Sequence, residues 1–256
     1  MTRRKRNSYF QCKRFTIEQG DCAMKVTTDA SLLGAYADVQ QAQRILDIGA
    51  GTGLLSLFVA QRSTAQIDAV ELDSQAAEQA RKNFANSPWS ERLNLIEMDI
   101  RDYAMLGPQQ HLQQHSDQNR PQYDCIITNP PFFTGSTQNP CDRSALARHN
   151  THLPLSDLMK SIDQLLSADG VVWILLPLAE SDAIIKLAES FSLYPQQRML
   201  VRNSSQHPAH REIMRLSRHQ AEVEQSIFTL YKEHPFHTKA AAALFEPYYT
   251  RMKVEA

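Results

Sequence analysis

Three alternating glycines separate a predicted strand from a predicted helix near residue 50 of this chain. Residues 47–53 read Asp-Ile-Gly-Ala-Gly-Thr-Gly, the apolar run Arg44–Ile48 leads into them, and an apolar helix pattern follows from Leu54. Glycine has no Cβ, so its backbone can turn tightly and approach a ligand closely. A glycine loop between a strand and a helix is typical of nucleotide-like cofactor sites. The spacing is neither the G-x-G-x-x-G of dinucleotide folds nor that of a phosphate-binding P-loop.

Short apolar strands alternate with helical patterns along most of the chain, which predicts a parallel sheet covered on both faces. The predicted strands are Arg44–Ile48, Ile67–Glu71, Leu93–Ile96, Tyr123–Thr128 and Val171–Leu176. The predicted helices begin near Ser31 and Leu54 and span Ala76–Phe84, Leu155–Leu166, Ser181–Ser190 and Lys239–Leu244. Two consecutive strands, Glu212–Arg218 and Ser226–Lys232, predict an edge hairpin. We therefore expect an α/β fold with a doubly wound, mostly parallel, seven-stranded sheet and an antiparallel C-terminal edge hairpin.

The composition predicts one catalytic domain. With 256 residues, of which 42% are hydrophobic, the chain can bury one large core. We divide it into an N-terminal basic arm and cofactor-covering segment (1–38) and a catalytic domain (39–256) with a polar insertion at 107–122. No apolar run reaches membrane-spanning length, so we expect a soluble, cytoplasmic protein, with a monomer favoured. The cysteines show no metal-ligand spacing, and we interpret His111 and His115 as residues of a surface loop, so no metal is expected.

Three acidic residues follow successive predicted strands. Asp47 ends the first strand, Glu71 ends the second, and Asp99 lies just past the third. Ligands of open α/β sheets collect at these carboxyl ends, where an acid can accept hydrogen bonds from ribose hydroxyls. Each acid alone is equally explained as a loop residue or a helix cap, but together they favour a cofactor site. The predicted cofactor-binding residues here are Asp47, Gly49, Gly51, Gly53, Glu71, Leu72, Asp99 and Ile100.

Lys25-Val26-Thr27-Thr28-Asp29 lies just before the first predicted helix. Thr28 or Asp29 can be read simply as the N-cap of that helix. The functional interpretation is that Lys25 and the helix N-terminus face an anionic group of the cofactor. We favour the functional reading and predict Lys25, Thr28 and Asp29 as cofactor-binding residues.

Asn129-Pro130-Pro131-Phe132 follows the fourth predicted strand, about eighty residues after the glycines. An Asn side-chain oxygen and the carbonyl of Pro130 can accept both hydrogens of an exocyclic amino group, and Phe132 can stack on a flat ring. A double proline also ends a strand in a turn, which is the structural alternative. With the glycine loop upstream we predict Asn129, Pro130 and Phe132 as catalytic, with Asn129 also near the cofactor.

The basic residues cluster near the N-terminus although the net charge is only −1. Such an arm can neutralise phosphates of a nucleic acid, and a solvated terminus is an equally good reading. A second basic segment, Ala147-Arg148-His149, follows the Asn-Pro-Pro-Phe motif. The predicted RNA-binding residues are Arg3, Arg4, Lys5, Arg6, Lys13, Arg14, Arg148 and His149.

The glycine loop with its acids resembles the class I S-adenosylmethionine-dependent methyltransferases across roughly residues 40 to 200. That resemblance implies that S-adenosylmethionine is the cofactor, with the glycines flanking its methionine moiety, Glu71 on the ribose and Asp99 near the adenine. Asn-Pro-Pro-Phe resembles the motif of enzymes that methylate planar amino groups. Together with the N-terminal segment and Lys25–Asp29, the chain resembles the tRNA1(Val) adenine-37 N6-methyltransferase family, which implies a tRNA substrate.

Alternatives stay open. Another acceptor is possible: ribosomal RNA guanine N2, DNA adenine N6 or protein glutamine N5. The alternative from a different functional class is a non-catalytic RNA-binding protein of the same fold. A DNA enzyme would need a target-recognition domain, for which the chain has little room, and a glutamine enzyme more typically has Tyr at the position of Phe132. The insertion at Gly107–Gln122 and the very basic arm depart from the family pattern.

Overall fold

The computed structural model describes residues 8–20, 25–106, 122–130 and 153–254. Several sequence predictions fall outside these ranges: the polar insertion up to residue 121, Phe132, and the RNA-binding residues Arg3, Arg4, Lys5, Arg6, Arg148 and His149.

Strands and helices alternate through the described chain. The strands are β1 (Tyr9–Gln11), β2 (Thr16–Glu18), β3 (Arg44–Ile48), β4 (Gln66–Glu71), β5 (Leu93–Glu97), β6 (Tyr123–Thr128), β7 (Leu166–Pro177), β8 (Tyr194–Arg202), β9 (Arg211–Ser217), β10 (Glu224–Thr229), β11 (Tyr231–Glu233) and β12 (Phe236–His237). The α-helices are α1 (Thr28–Tyr36), α2 (Leu54–Ala60), α3 (Ser74–Ala85), α4 (Ile100–Leu106), α5 (Leu155–Leu165), α6 (Ser181–Glu189) and α7 (Lys239–Phe245). Two short 3₁₀ helices, Ser90–Arg92 and Leu178–Glu180, lie between them.

The central sheet has the order β10-β8-β9-β7-β6-β3-β4-β5. Every neighbouring pair is parallel except those that include β9, which runs antiparallel to both β7 and β8. The carboxyl ends of β3, β4, β5 and β6 therefore meet at one edge of the sheet. The predicted doubly wound, mostly parallel architecture is confirmed.

Both faces of the central strands β3, β6 and β7 are buried, and successive residues of each strand point to opposite faces. In β3, Ile45 contributes to the core cluster on the side of α1, α2 and α3, whereas Leu46 contributes to the cluster on the side of α4, α5 and α6. Trp173 and Ile174 of β7 divide in the same way. The continuous apolar runs of the sequence follow from this two-sided burial.

The C-terminal strands correct the sequence prediction in number and in pairing. The sheet has eight strands rather than seven, because Tyr194–Arg202 forms a strand that the sequence did not reveal. This strand, β8, forms the antiparallel hairpin with β9, while β10 pairs with β8 in parallel. Most side chains of β8 are only partly buried, and five of its nine residues are polar or proline. A strand so close to the sheet edge does not need a continuous apolar run.

The described part of the N-terminal segment packs into the same core as the catalytic domain. β1 and β2 form a small antiparallel hairpin whose Phe15 and Ile17 are buried. The side-chain amide of Asn83, buried in α3, donates to the carbonyl oxygens of Glu18 (3.0 Å) and Thr52 (2.9 Å), and its oxygen accepts from the Glu18 N–H (2.9 Å). Asn83 thus ties the hairpin to the loop that contains the glycines.

The glycine loop requires backbone angles that other residues adopt at a cost. Gly49, Gly51 and Gly53 have φ of 73°, 56° and 80°, in the left-handed region. A Cβ added at Gly49 would meet no atom within 4 Å, whereas one added at Gly53 would lie 2.4 Å from Cε1 of Phe84. A side chain at Gly49 would therefore cause backbone strain alone, whereas a side chain at Gly53 would also clash with the buried ring of Phe84.

We predict that Gly49→Ala costs about 1–2 kcal/mol in the free energy of unfolding, the price of one left-handed non-glycine residue. Gly53→Ala should cost clearly more, because the methyl group also displaces Phe84. Urea unfolding of both variants measures the difference. In a Gly53→Ala background, Phe84→Leu should cost less than it does in the wild type, since it removes the clashing ring. Equal losses for the two alanine variants would contradict this account.

Candidate active site

The carboxyl edge of the sheet brings the predicted site residues together. Ile48, the last residue of β3, pairs with Val70 of β4 on one side and with Thr128 of β6 on the other. Glu71 and Asn129 therefore follow directly on either side of the glycine loop. Thr128 strengthens this junction, because its buried hydroxyl donates to the carbonyl oxygen of Ile48 (2.9 Å).

Glu71 holds the glycine loop in place. Its Oε2 accepts a hydrogen bond from the Gly51 N–H (2.8 Å), and its Oε1 accepts one from the Asp73 N–H (2.8 Å). Burial raises the pKa of Glu71, and these backbone hydrogen bonds act against that rise. The backbone N–H of Leu72 also interacts with this carboxylate. A carboxylate has about four acceptor positions, so Glu71 can support the loop and still accept from a ribose hydroxyl.

Asp47 is fully buried below the loop. Its Oδ2 accepts from the backbone N–H (3.0 Å) and the hydroxyl (2.7 Å) of Ser56 in α2. Its Oδ1 is buried and has no hydrogen-bond partner among the described residues. Burial is the main reason why the pKa of Asp47 is raised to about 7; the nearby Glu71 adds to the rise, and the Ser56 bonds oppose it. An unsatisfied buried acceptor beside a glycine loop is a position where a ligand donor would be stabilised.

Asp99 immediately precedes helix α4, and Arg101 donates hydrogen bonds to its carboxylate. Oδ1 accepts from the backbone N–H (2.8 Å) and Nε (2.9 Å) of Arg101, and Oδ2 accepts from Nη2 (2.6 Å). These bonds to Arg101 lower the pKa of Asp99. Asp99 is therefore a helix cap in the structure. Its contact with an adenine stays a prediction, and that contact would have to use an acceptor position that Arg101 leaves free. Next to the two acids, Leu72 is exposed and Ile100 is buried.

Asn129 and Pro130 stand immediately beyond β6. Asn129 is partly exposed, and Pro130 is buried. The backbone hydrogen bonds of the parallel β3–β6 pair fix how far Asn129 extends past the sheet edge relative to the glycine loop. The motif thus occupies the same edge as Glu71, and the place of its Phe132 lies outside the described residues.

The Lys25–Asp29 segment leads into helix α1, and several of its polar side chains have partners within the protein. Helix α1 is capped by Thr27, whose hydroxyl oxygen accepts from the Ala30 N–H (3.2 Å), so neither Thr28 nor Asp29, the residues of the cap alternative, is the N-cap. The ammonium of Lys25 donates to the carbonyl oxygen of Gln19. The carboxylate of Asp29 lies 3.3 Å from Nε of Arg211, the first residue of β9, and 3.7 Å from Nε2 of His210 in the turn before it. The cofactor contacts of Lys25, Thr28 and Asp29 stay predictions.

Two predicted RNA-binding residues have intramolecular partners. Lys13 pairs with Glu246 (2.6 Å), and the guanidinium of Arg14 lies 5.2 Å from the centre of the Trp89 ring. Both side chains lie in the exposed turn of the N-terminal hairpin. Such exposed contacts contribute little stability and exchange readily, so both residues can also meet a phosphate.

Three residues near the site were not identified from the sequence. Asn83 ties the loop to the N-terminal hairpin, Ser56 binds Asp47, and Arg101 covers Asp99. Each acts through contacts with residues distant in the chain or through side-chain geometry. No motif spacing identifies such partners.

The residues present fit S-adenosylmethionine. The left-handed glycines leave open space where a Cβ would stand at Gly49 and Gly51, and Glu71 and Asp47 keep acceptor positions for donor groups. Within the described part of the chain, no three His, Cys, Asp or Glu residues are grouped so that they could hold a metal ion. No helix in that part combines the length and apolarity that crossing a membrane requires.

We predict that Asp47 makes the stability of the cofactor-free protein depend on pH. Because its folded pKa is about 7 and its unfolded pKa about 4, the folded state holds a proton between these values that the unfolded state releases. Stability therefore falls as pH rises from 4 to 7, by about 1.4 kcal/mol per pH unit at most. Asp47→Asn should remove most of this slope in urea unfolding between pH 5 and 7.

The exposed Asp102, in the first turn of α4, offers a matched control. Asp102→Asn should keep the wild-type slope. If wild type and Asp47→Asn have the same slope, Asp47 is not the titrating group.

Known proteins resemble this chain in both sequence and fold. The family model of the methyltransferase small domain matches residues 22–174. A tRNA1(Val) (adenine(37)-N6)-methyltransferase of Bacteroides fragilis is 41% identical over 75% of this chain and 77% of its own length. A protein of the same name from Aeromonas hydrophila is 39% identical over 96% of this chain and 99% of its own.

Among solved structures, a predicted O-methyltransferase from Agrobacterium tumefaciens superimposes with a TM-score of 0.63 at 19% identity, covering 86% of this chain and 96% of that one. This likeness supports the fold alone. The family model and the relatives go further, since they match the segments that form the glycine loop, the acids and the Asn-Pro motif. The chain therefore belongs to the methyltransferase small-domain family and, within it, to the family of the tRNA1(Val) (adenine(37)-N6)-methyltransferases.

Proposed function

We propose that this enzyme methylates N6 of adenine 37 in tRNA1(Val). The observation that carries the proposal is the position of Asn129 and Pro130, one strand away from the glycine loop at the same sheet edge. The names of the relatives, which match at up to 41% identity, support the choice of acceptor. S-adenosylmethionine supplies the methyl group when bound.

The residues of this chain position the acceptor rather than remove its proton first. The lone pair of an adenine amino group is delocalised into the ring, so the nitrogen is a poor nucleophile. If the side-chain oxygen of Asn129 and the carbonyl of Pro130 accept its two hydrogens, the nitrogen can become pyramidal and direct its lone pair out of the ring plane. Methylation then requires mainly proximity and orientation, which can lower a barrier by several kcal/mol. The methylated nitrogen is acidic and loses its proton without a strong base.

The acceptor must leave its stack to reach this edge. Unstacking is cheapest for a base in a single-stranded loop, and sequence-specific RNA recognition mostly targets such loops. Phe132 is the predicted stacking partner of the base, and such stacking contributes about 1–3 kcal/mol in single-strand binders.

We predict that Asn129→Ala abolishes methylation and leaves cofactor affinity nearly unchanged, because the lost oxygen acts on the acceptor amine. Labelled methyl transfer measures turnover, and calorimetry with S-adenosylhomocysteine measures cofactor binding. Asn94→Ala is the matched control, since Asn94 is an exposed amide in β5 that donates to Asp68. Turnover near the wild-type rate in Asn129→Ala would contradict the proposed role of the Asn129 side chain in positioning the acceptor amine.

The substrate is tested by incubating the enzyme with unmodified total tRNA and a labelled cofactor, followed by nucleoside analysis. N6-methyladenosine confined to one tRNA is the expected result. N2-methylguanosine in ribosomal RNA, methylated DNA or a methylated protein would each replace the proposed acceptor. Cofactor binding without methylation of any of these would favour a non-catalytic protein.

The N-terminal basic residues give a further prediction. Removing residues 1–6 should weaken tRNA binding and flatten its dependence on salt, because fewer phosphates are neutralised. An arm with the same residues in scrambled order should keep the wild-type salt slope, since phosphate contacts need charge and not sequence. If the truncated protein keeps the full slope, the arm does not contact RNA.

A further inference from the structure

The turn between β8 and β9 lies at the same sheet edge as the site. Because β9 runs antiparallel to its neighbours, its first residue, Arg211, pairs with Val201 near the end of β8 and with Pro177 at the end of β7. The turn itself, residues 203–210, therefore projects beyond the carboxyl ends of the parallel strands. We call residues 202–211 the basic turn.

The register of the sheet gives the distance from the basic turn to the acceptor motif. Thr128 of β6 is level with Ile174 of β7, which is level with Met214 of β9. Arg211 thus lies two strands to the side of Asn129 and two residues further beyond the edge. With about 4.8 Å between strands and about 3.3 Å per residue, their backbones are on the order of 12 Å apart. A nucleic-acid strand whose base is at Asn129 would pass within reach of this turn.

The basic turn has two formal positive charges, those of Arg202 and Arg211, in a chain whose net charge is −1 with its histidines neutral. It contains Arg202, His207, His210 and Arg211, and residues 199–211 include no Asp or Glu. Nε of Arg202 donates to the hydroxyl of Thr229 (2.9 Å), an uncharged partner that leaves the guanidinium charge in place. The adjacent Glu212 is buried and already neutralised by Arg198, with contacts of 2.5 and 3.1 Å.

The turn is held in one shape and tied to the cofactor side of the site. The N–H of His210 donates to the carbonyl of Val201 (2.9 Å), and Nδ1 of His207 shares a hydrogen bond with the hydroxyl of Ser204 (2.7 Å). Asp29 of α1 pairs with Arg211 and faces His210. The charges are therefore presented at a fixed position relative to α1, so a polyanion that binds here is aligned with the acceptor motif.

We propose that the basic turn binds the phosphates of the tRNA strand that flank the methylated base. Phosphates suit this surface because Arg binds them through two parallel hydrogen bonds, and these contacts set the register of a nucleic acid without reading its sequence. The proposal rests on the proposed tRNA substrate. The role of the basic turn is to position the RNA, since Arg202 and Arg211 hold the strand while Asn129 acts on the base.

The test measures binding of unmodified tRNA in the presence of S-adenosylhomocysteine over a range of salt concentrations. Arg202→Gln and Arg211→Gln should each weaken binding several-fold and reduce the magnitude of the log–log salt slope by about 0.7, the value for one single-strand phosphate contact. Lys186→Gln is the matched control, because Lys186 is an exposed cation near the end of α6, which starts at this edge and runs away from it. It should leave both quantities unchanged.

Asp29→Asn separates RNA contact from structural support. If Arg211 meets a phosphate, removing its internal partner should keep the salt slope of wild type or increase it. If Arg211 serves only as the partner of Asp29, Asp29→Asn and Arg211→Gln should show the same loss, which would overturn the proposal. If the salt slopes are unchanged in both arginine variants while the wild type still binds and methylates tRNA, only the proposed phosphate binding by the basic turn is overturned. Failure of wild type to bind or methylate tRNA would overturn the proposed function as well.

Discussion

The hydrogen bond between Gly51 and Glu71 joins the two halves of the candidate site. Gly51 belongs to a loop whose glycines have left-handed backbones, and the carboxylate of Glu71 at the end of the neighbouring strand holds that loop at 2.8 Å. Asp47 secures the other end of the loop through Ser56 of α2. A loop held at both ends can keep its backbone close to a cofactor without side chains to fill the space, so the catalytic edge depends on this small set of contacts.

The remaining parts of the site are aligned by the parallel sheet. Backbone pairing of β3 with β6 sets Asn129 beside the glycine loop, and the antiparallel strand β9 starts at the same edge with Arg211. The predicted cofactor residues, the predicted acceptor motif and the basic turn thus come from strands that are far apart in the chain and close together in the sheet. Transfer of a methyl group between two bound molecules needs this kind of fixed alignment more than it needs strong acids or bases.

Sequence patterns predicted the elements that are locally encoded. The strands on both sides of the glycine loop, most helices, and the placing of Asp47, Glu71 and Asn129 at strand ends were all readable, because buried strands and glycine turns leave local signatures. Strand β8 was missed because it is polar near the sheet edge, and its absence led to the wrong hairpin partner. The N-cap of α1 is Thr27, which the sequence does not distinguish from Thr28 or Asp29 because all three residues are acceptable caps.

The amino-acid sequence by itself determined the fold class and the chemistry of the site, since glycines, strand-end acids and Asn-Pro have few alternative roles when they occur in this order. Only the tertiary structure decided which side chains are already engaged. Arg101 binds the carboxylate of Asp99, Asn83 connects the loop to the N-terminal hairpin, and Asp29 pairs with Arg211. These contacts join residues through side-chain reach and strand register, and neither quantity is recorded in the order of residues along the chain.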